Sequence, residues 1–222
     1  EPVVRRSIEL DMQPQQAKLH QELEEEMYAE LDGNFIVTST VLAKLTRLLQ
    51  LAVSPTVLFP RAEVGIAFRW LIDKVEEDSH TVIFSPFTET LTQFELYAKN
   101  TLQGLKTFTL RGGMDPEEVY EVIRLWKEAR GLMLCTISFA QSFPLDTTNN
   151  AYMLGFDWDP NNNIQAEGRL RRLDSILKTP CSVTYIVVKG SKYEDVKEVV
   201  NGKTFNMSKV LKGYNRIRRI ES

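Results

Sequence analysis

Two cysteines and two histidines are all that 222 residues contain of either type. Neither C-x-x-C nor H-E-x-x-H occurs, so the usual spacings for structural or catalytic zinc are missing. Cys135 and Cys181 lie far apart, each in an apolar run, and each reads as a buried free thiol rather than half of a disulfide. No apolar run approaches the roughly 20 residues that cross a membrane. The N-terminus, Glu1-Pro2-Val3-Val4-Arg5-Arg6, lacks the apolar core of a secretion signal. A soluble, intracellular chain is therefore expected, with cytoplasm and nucleus undistinguished. It opens without methionine, as an excised or processed piece would. Positive charge is not in excess: a net charge of −3 argues against a basic coat, so any contact with nucleic acid must be a local groove. A phosphate loop of the form G-x-x-x-x-G-K-S/T is lacking, as is an acidic D-E-x-H box for magnesium.

What is present is ordinary globular composition, 43% hydrophobic and 26% charged, long enough for one large domain or a domain with an appendage. Residues 13–31 read as an acidic helix with Leu19, Leu23, Met27 and Leu31 at four-residue spacing, stopped by Asp32-Gly33-Asn34. A second helix is expected over 38–52, broken at Ser54-Pro55, and a third over 62–77. Beyond them, short apolar strands over 81–85, 107–110, 132–138, 151–156 and 182–189 alternate with helices over 88–100, 115–130 and 191–200. Asp115-Pro116-Glu117-Glu118 opens the 115–130 helix with a cap, a first-turn proline and acids at the positive helix end.

That alternation predicts the α/β class, with a parallel sheet covered by helices on both faces. Ligands gather at the carboxyl ends of such strands. Here those ends carry Ser85-Pro86-Phe87, Arg111-Gly112-Gly113, Ser138 to Asn150 and Asp157-Trp158, so the candidate functional groups are expected along one edge. Residues 203–222 form a basic tail with Lys203, Lys209, Lys212, Arg216, Arg218 and Arg219. A contact with nucleic acid or another domain and a merely solvated tail fit it equally.

The most informative stretch runs from Asp157 to Arg172. It crosses a turn-rich Asp-Pro-Asn-Asn segment and continues as an expected helix, which advances about 100° per residue. Gln165, Arg169 and Arg172 then share one face, with Leu170 and Leu173 turned inward. Two guanidiniums and an amide so aligned can grip phosphate, because the arginine fork is always charged and binds two oxygens at once. A surface helix with a plain basic stripe is the other reading.

Trp158, Asp159-Pro160, Gln165-Ala166, Arg169 and Arg172 resemble the W-D/N-P-x-x-x-x-Q-A-x-x-R-x-x-R motif of Swi/Snf-like ATPases, the sixth motif of superfamily-two helicases and translocases. Val82-Ile83-Phe84-Ser85 is similar to the fourth motif, and Leu110-Arg111-Gly112-Gly113 to the L-x-G-S/T element after it. Leu45-Thr46-Arg47-Leu48-Leu49-Gln50 with Pro55, and Pro14 with Gln16, resemble the segment preceding the core.

The resemblance implies the second of two RecA-like motor domains. Residues 1–60 would be a helical appendage packed on the core, 61–202 the RecA-like domain and 203–222 the tail. Gln165, Arg169 and Arg172 would meet ATP, with Arg169 and Arg172 as arginine fingers and magnesium held by the missing first domain. Ser85, Arg111, Gly112, Gly113, Ser138 and Gln141 would lie along the phosphodiester backbone of DNA, duplex in the first instance. The partners implied are DNA and the first RecA-like domain, and the isolated chain is expected to bind ATP poorly and hydrolyse almost none.

One departure stands out. The family carries a glycine-rich G-x-G-I/L-N-L in its fifth motif, whereas this chain has Ala140-Gln141-Ser142-Phe143-Pro144-Leu145 and no glycine between Ser138 and Leu154. Fewer backbone shapes are then open to the loop, and Pro144 removes one N–H donor. A non-catalytic α/β module that binds nucleic acid or protein is the alternative. A third reading, an unrelated α/β enzyme using Asp157 or Asp159 as acid or base, has no nucleophile nearby to support it.

Overall fold

Strand Val82–Phe84 and its neighbours exclude water from both faces of a sheet, and the rest of the chain is arranged around them. The computed structural model describes residues 3–38, 40–75, 80–140, 142–157, 159–170 and 180–194. In chain order the elements are β1 (Val4–Leu10), α1 (Pro14–Glu26), β2 (Tyr28–Leu31), β3 (Asn34–Val37), α2 (Val41–Val53), α3 (Ile66–Ile72), β4 (Thr81–Ser85), α4 (Thr88–Thr101), β5 (Thr107–Leu110), α5 (Pro116–Ala129), β6 (Leu132–Thr136), α6 (Ile137–Ala140), β7 (Asn150–Met153), α7 (Pro160–Gly168) and β8 (Ser182–Val188).

Six strands form one sheet in the order β1-β8-β7-β4-β6-β5, every adjacent pair parallel. All residues of β4 and β6 are buried. Since successive side chains point to opposite faces, both faces of the sheet centre are covered, as the apolar runs predict. Because the pairs are all parallel, the carboxyl ends share one edge. This is the α/β architecture that the alternation predicts, and the RecA-like sheet that the resemblance implies.

Local chemistry sets the element ends. Asp115 caps α5 by accepting from the N–H groups of Glu117 and Glu118 at 3.0 and 2.9 Å, as its sequence predicts. Thr40 caps α2 through Ala43 N–H at 3.1 Å. Gly65 begins α3 where a Cβ would stand 2.5 Å from Ser54 Cα, so the two helices meet without room for a side chain.

Several expectations are corrected. The acidic helix stops at Glu26, where Met27 takes φ 62°. Asp32 and Gly33, at φ 51° and 78°, do not end a helix; they form the two-residue turn of the β2–β3 hairpin, the use for which an Asp-Gly pair is suited. Leu31 therefore belongs to a strand. α3 is shorter than 62–77, and β6 gives way at Thr136 to the single turn α6. β1, with Arg5, Arg6 and Glu9 interrupting its apolar pattern, is an unforeseen edge strand. The N-terminal segment thus supplies a strand and a hairpin as well as helices. It has its own small core of Leu19, Leu23, Ala29, Leu48, Leu51 and Phe59. Gln16 joins this core to α2, its amide donating to the carbonyls of Leu51 and Ala52 at 2.9 and 2.8 Å. Of the expected 191–200 helix only the start is described, and the basic tail lies outside the described residues.

Candidate functional site

Two groups of expected site residues sit at opposite ends of the sheet. At the carboxyl ends, Ser85 is fully buried and its hydroxyl accepts the Phe87 N–H at 3.4 Å, so it shapes the turn after β4. Arg111, Gly112 and Gly113 are exposed after β5. The Arg111 N–H meets Met114 Sδ at 3.4 Å, while its guanidinium has no partner among the described residues. Gly113 takes φ +90°, and a Cβ on either glycine would meet nothing. The loop therefore offers exposed N–H groups to whatever approaches. Ser138 is exposed on α6. Gln141 lies outside the described residues.

The glycine-free loop after Ser138 is pinned along its length. Phe139 and Phe143 pack edge to face at 5.2 Å. The Leu145 N–H donates to the Arg169 carbonyl at 2.8 Å, Asp146 pairs with Lys127 Nζ at 3.1 Å, and Thr147 Oγ1 lies 3.0 Å from His80 Nε2. Beyond α6, the described residues from the carboxyl end of β6 to the amino end of β7 are turns and irregular chain rather than a crossover helix.

α7 begins in the turn that sequence reading assigned to acid–base candidates. Asp159 caps it through the Asn161 N–H at 2.9 Å, and Asp157 accepts the Asp159 N–H at 2.9 Å. Buried Asn163 reaches back, accepting from the Asp157 N–H at 2.9 Å and donating to its carbonyl at 3.0 Å. Both carboxylates are thus occupied in shaping a turn.

Asn161, Ile164, Gln165 and Gly168 form the exposed face of α7; Asn163, Ala166, Glu167 and Leu170 form the buried one. Arg169 is the C-cap, with φ −76° and ψ −18°, so helical geometry still sets it one turn from Gln165. The helix therefore ends sooner than 157–172 suggests. Arg169 is half-buried, and among the described residues its guanidinium has no hydrogen-bond or ion-pair partner. Arg172 and Trp158 lie outside the described residues.

At about 1.5 Å per residue, α7 carries the chain roughly 13 Å down from the carboxyl edge. Cys181 Sγ, immediately before β8, donates to the Leu170 carbonyl at 3.4 Å, which puts Arg169 and Leu170 beside the amino end of that strand. The shared edge holds for Ser85, Arg111–Gly113, Ser138 and Asp157, which lie at or after the carboxyl ends of parallel strands; Arg169 is set apart from them because a helix lies between Asp157 and Arg169.

One charged cluster escaped the sequence reading. Glu167, 1% exposed, accepts from Arg5 Nε at 3.0 and 2.9 Å, from Arg5 Nη2 at 2.6 Å and from Tyr185 Oη at 2.5 Å. The Glu167 carboxylate holds the Arg5 pKa above its ordinary value; burial, then Glu167, pushes the Tyr185 hydroxyl well up. Nothing local announces this cluster, since Arg5 and Glu167 are 162 residues apart.

Residues 66–174 match the model of the helicase conserved C-terminal domain. No curated protein matches the chain by sequence. Among solved structures, the C-terminal part of the Fun30 ATPase domain is similar at 13% identity and TM-score 0.65, covering 93% of this chain and 90% of that one. The Sulfolobus solfataricus SWI2/SNF2 ATPase C-terminal domain is similar at 16% identity and TM-score 0.65, covering 94% and 90%. The Sulfolobus solfataricus SWI2/SNF2 ATPase core in complex with dsDNA matches at 17% identity and TM-score 0.64 over 90% of this chain and 44% of that one. Among the described residues, no helix is long and apolar enough to cross a membrane.

Proposed function

We propose that the chain is the second motor domain of an ATP-driven DNA translocase or helicase, a reading supported by the match of residues 66–174 to the helicase conserved C-terminal domain and by the similarity of its fold to SWI2/SNF2 C-terminal domains. Its partner is a first RecA-like domain that holds ATP and magnesium. Arg169, with Arg172 beyond it, reaches across the cleft to the γ-phosphoryl group, and Gln165 one turn earlier lies beside the nucleotide. Negative charge spreads over the phosphoryl oxygens in the transition state, and a fixed guanidinium stabilises it. The observation that carries this reading is the Arg169 side chain: backbone anchored, its guanidinium without an acceptor among the described residues. A half-buried cation with no partner among the described residues suits an anion brought from outside.

The Arg111–Gly113 loop and Ser138 contact the DNA backbone, where exposed N–H groups, a hydroxyl and one cation bind phosphate without reading bases. The related SWI2/SNF2 core was solved with duplex DNA, which supports duplex as the substrate. Ser85 contributes by holding the turn. In the parent motor, Arg169→Ala and Arg172→Ala should each abolish DNA-stimulated ATP hydrolysis with the fold intact. Wild-type turnover in both would remove the finger assignment.

The second reading, a non-catalytic binding module, draws on the pinned, glycine-free loop after Ser138. It requires DNA or protein binding that is indifferent to ATP and to both arginines.

A further inference from the structure

α7 is a poor helix by itself. It has nine residues, below the roughly 12–15 at which isolated helices become stable. Three successive asparagines and a terminal glycine lower its propensity further. Yet its last turn carries the residue on which the proposed chemistry depends.

We propose that Arg5 and Glu167 form a positioning latch that sets the height and rotation of the α7 C-terminus, and with it Arg169. The inference rests on the finger reading above. The Glu167 carboxylate takes donors from two different strands, Arg5 of β1 and Tyr185 of β8. Only one rotation of α7 satisfies both. Two residues on, the Arg169 carbonyl is fixed by the Leu145 N–H at 2.8 Å, and Ala166 and Leu170 are buried beneath. The main chain of the turn is held from three sides, while among the described residues nothing pairs with the Arg169 guanidinium. A buried ion pair adds little net stability over apolar residues of like volume. What it supplies is direction, and a displacement of about 1 Å at a catalytic group can cost on the order of a hundredfold in rate. β1 therefore has a role beyond closing the sheet edge, since it delivers Arg5.

The test is DNA-stimulated ATPase in the full parent motor for Arg5→Met, Glu167→Gln, the double variant and Arg169→Ala, each with its melting temperature. Arg5→Met leaves a buried carboxylate with one donor and should melt lower. The double variant removes both charges and should melt near wild type, which keeps the test usable if a single variant fails to fold. A latch predicts that kcat in the double variant stays down about tenfold or more with the ATP KM little changed, as for lost transition-state contact. If kcat recovers together with melting temperature while Arg169→Ala is inactive, the pair is only structural and the latch fails alone. If Arg169→Ala turns over like wild type, the finger reading falls and the latch falls with it.

Discussion

The Leu145 N–H donates to the Arg169 carbonyl at 2.8 Å, a direct bond between the segment that follows Ser138 and the residue that ends α7. The bond links the segment proposed to lie near DNA to the residue proposed to meet the nucleotide, and the sequence between Ser138 and Leu145 has no glycine.

Arg169→Ala should leave stability within about 0.5 kcal/mol of wild type, as for substitutions that break no internal contact. In the parent motor, DNA-stimulated turnover should drop by about three orders of magnitude or more, the low end for arginine fingers. Chemical denaturation and steady-state ATPase assays read the two effects separately. A large loss of stability would mean that the guanidinium has a structural partner.

Gly112→Ala and Gly113→Ala should differ although the two are adjacent and both open to solvent. Gly113 sits at φ +90°, where an L side chain is strained by about 1–2 kcal/mol, whereas Gly112 carries no such conformation. Gly113→Ala should lower the unfolding midpoint clearly, Gly112→Ala hardly at all. Equal effects would show that the turn relaxes.

Arg111→Ala should weaken DNA binding and flatten its salt dependence by about one unit in the slope of log K against log salt, the signature of one lost phosphate contact. Fluorescence anisotropy with unrelated duplexes over a salt series measures it. Sequence-selective loss, or an unchanged slope, would take Arg111 off the backbone.

Acid should destabilise the chain before its carboxylates titrate. Burial lowers the pKa of His20 from 6.5 to about 4, with Lys192 adding and Glu24 opposing. Burial, then Arg130, lowers that of His80 to about 4, with the Gly131 hydrogen bond opposing. In the unfolded chain both regain 6.5 and bind protons first, so their contribution is complete above that pH and declines as pH falls toward 4. Denaturant unfolding between pH 7 and about 5, above the ordinary carboxylate range, should show the decline. His20→Leu with His80→Phe should remove it, and a slope surviving both substitutions would rest on other groups.

The α/β pattern was legible because buried parallel strands are apolar on both faces: Thr81–Ser85 and Leu132–Thr136 announce themselves by composition. The Asp115 cap is equally plain, since its partners are two and three residues away. The Asp32-Gly33 turn was written in the sequence too, but the leucine spacing carried the helical reading as far as Leu31, so the pair read as a helix stop rather than a hairpin. β1 was illegible for another reason: an edge strand buries little, and Arg5 and Glu9 break its alternation.

From the sequence alone came the class of fold, the succession of strands from β4 to β8 and the residue types that could meet phosphate, because each depends on neighbours a few positions apart. Which end of the sheet each group occupies was decided only in three dimensions. α7 must run its length before Arg169 appears, and a carboxylate buried 162 residues from its guanidinium has no partner until β1 and β8 lie side by side.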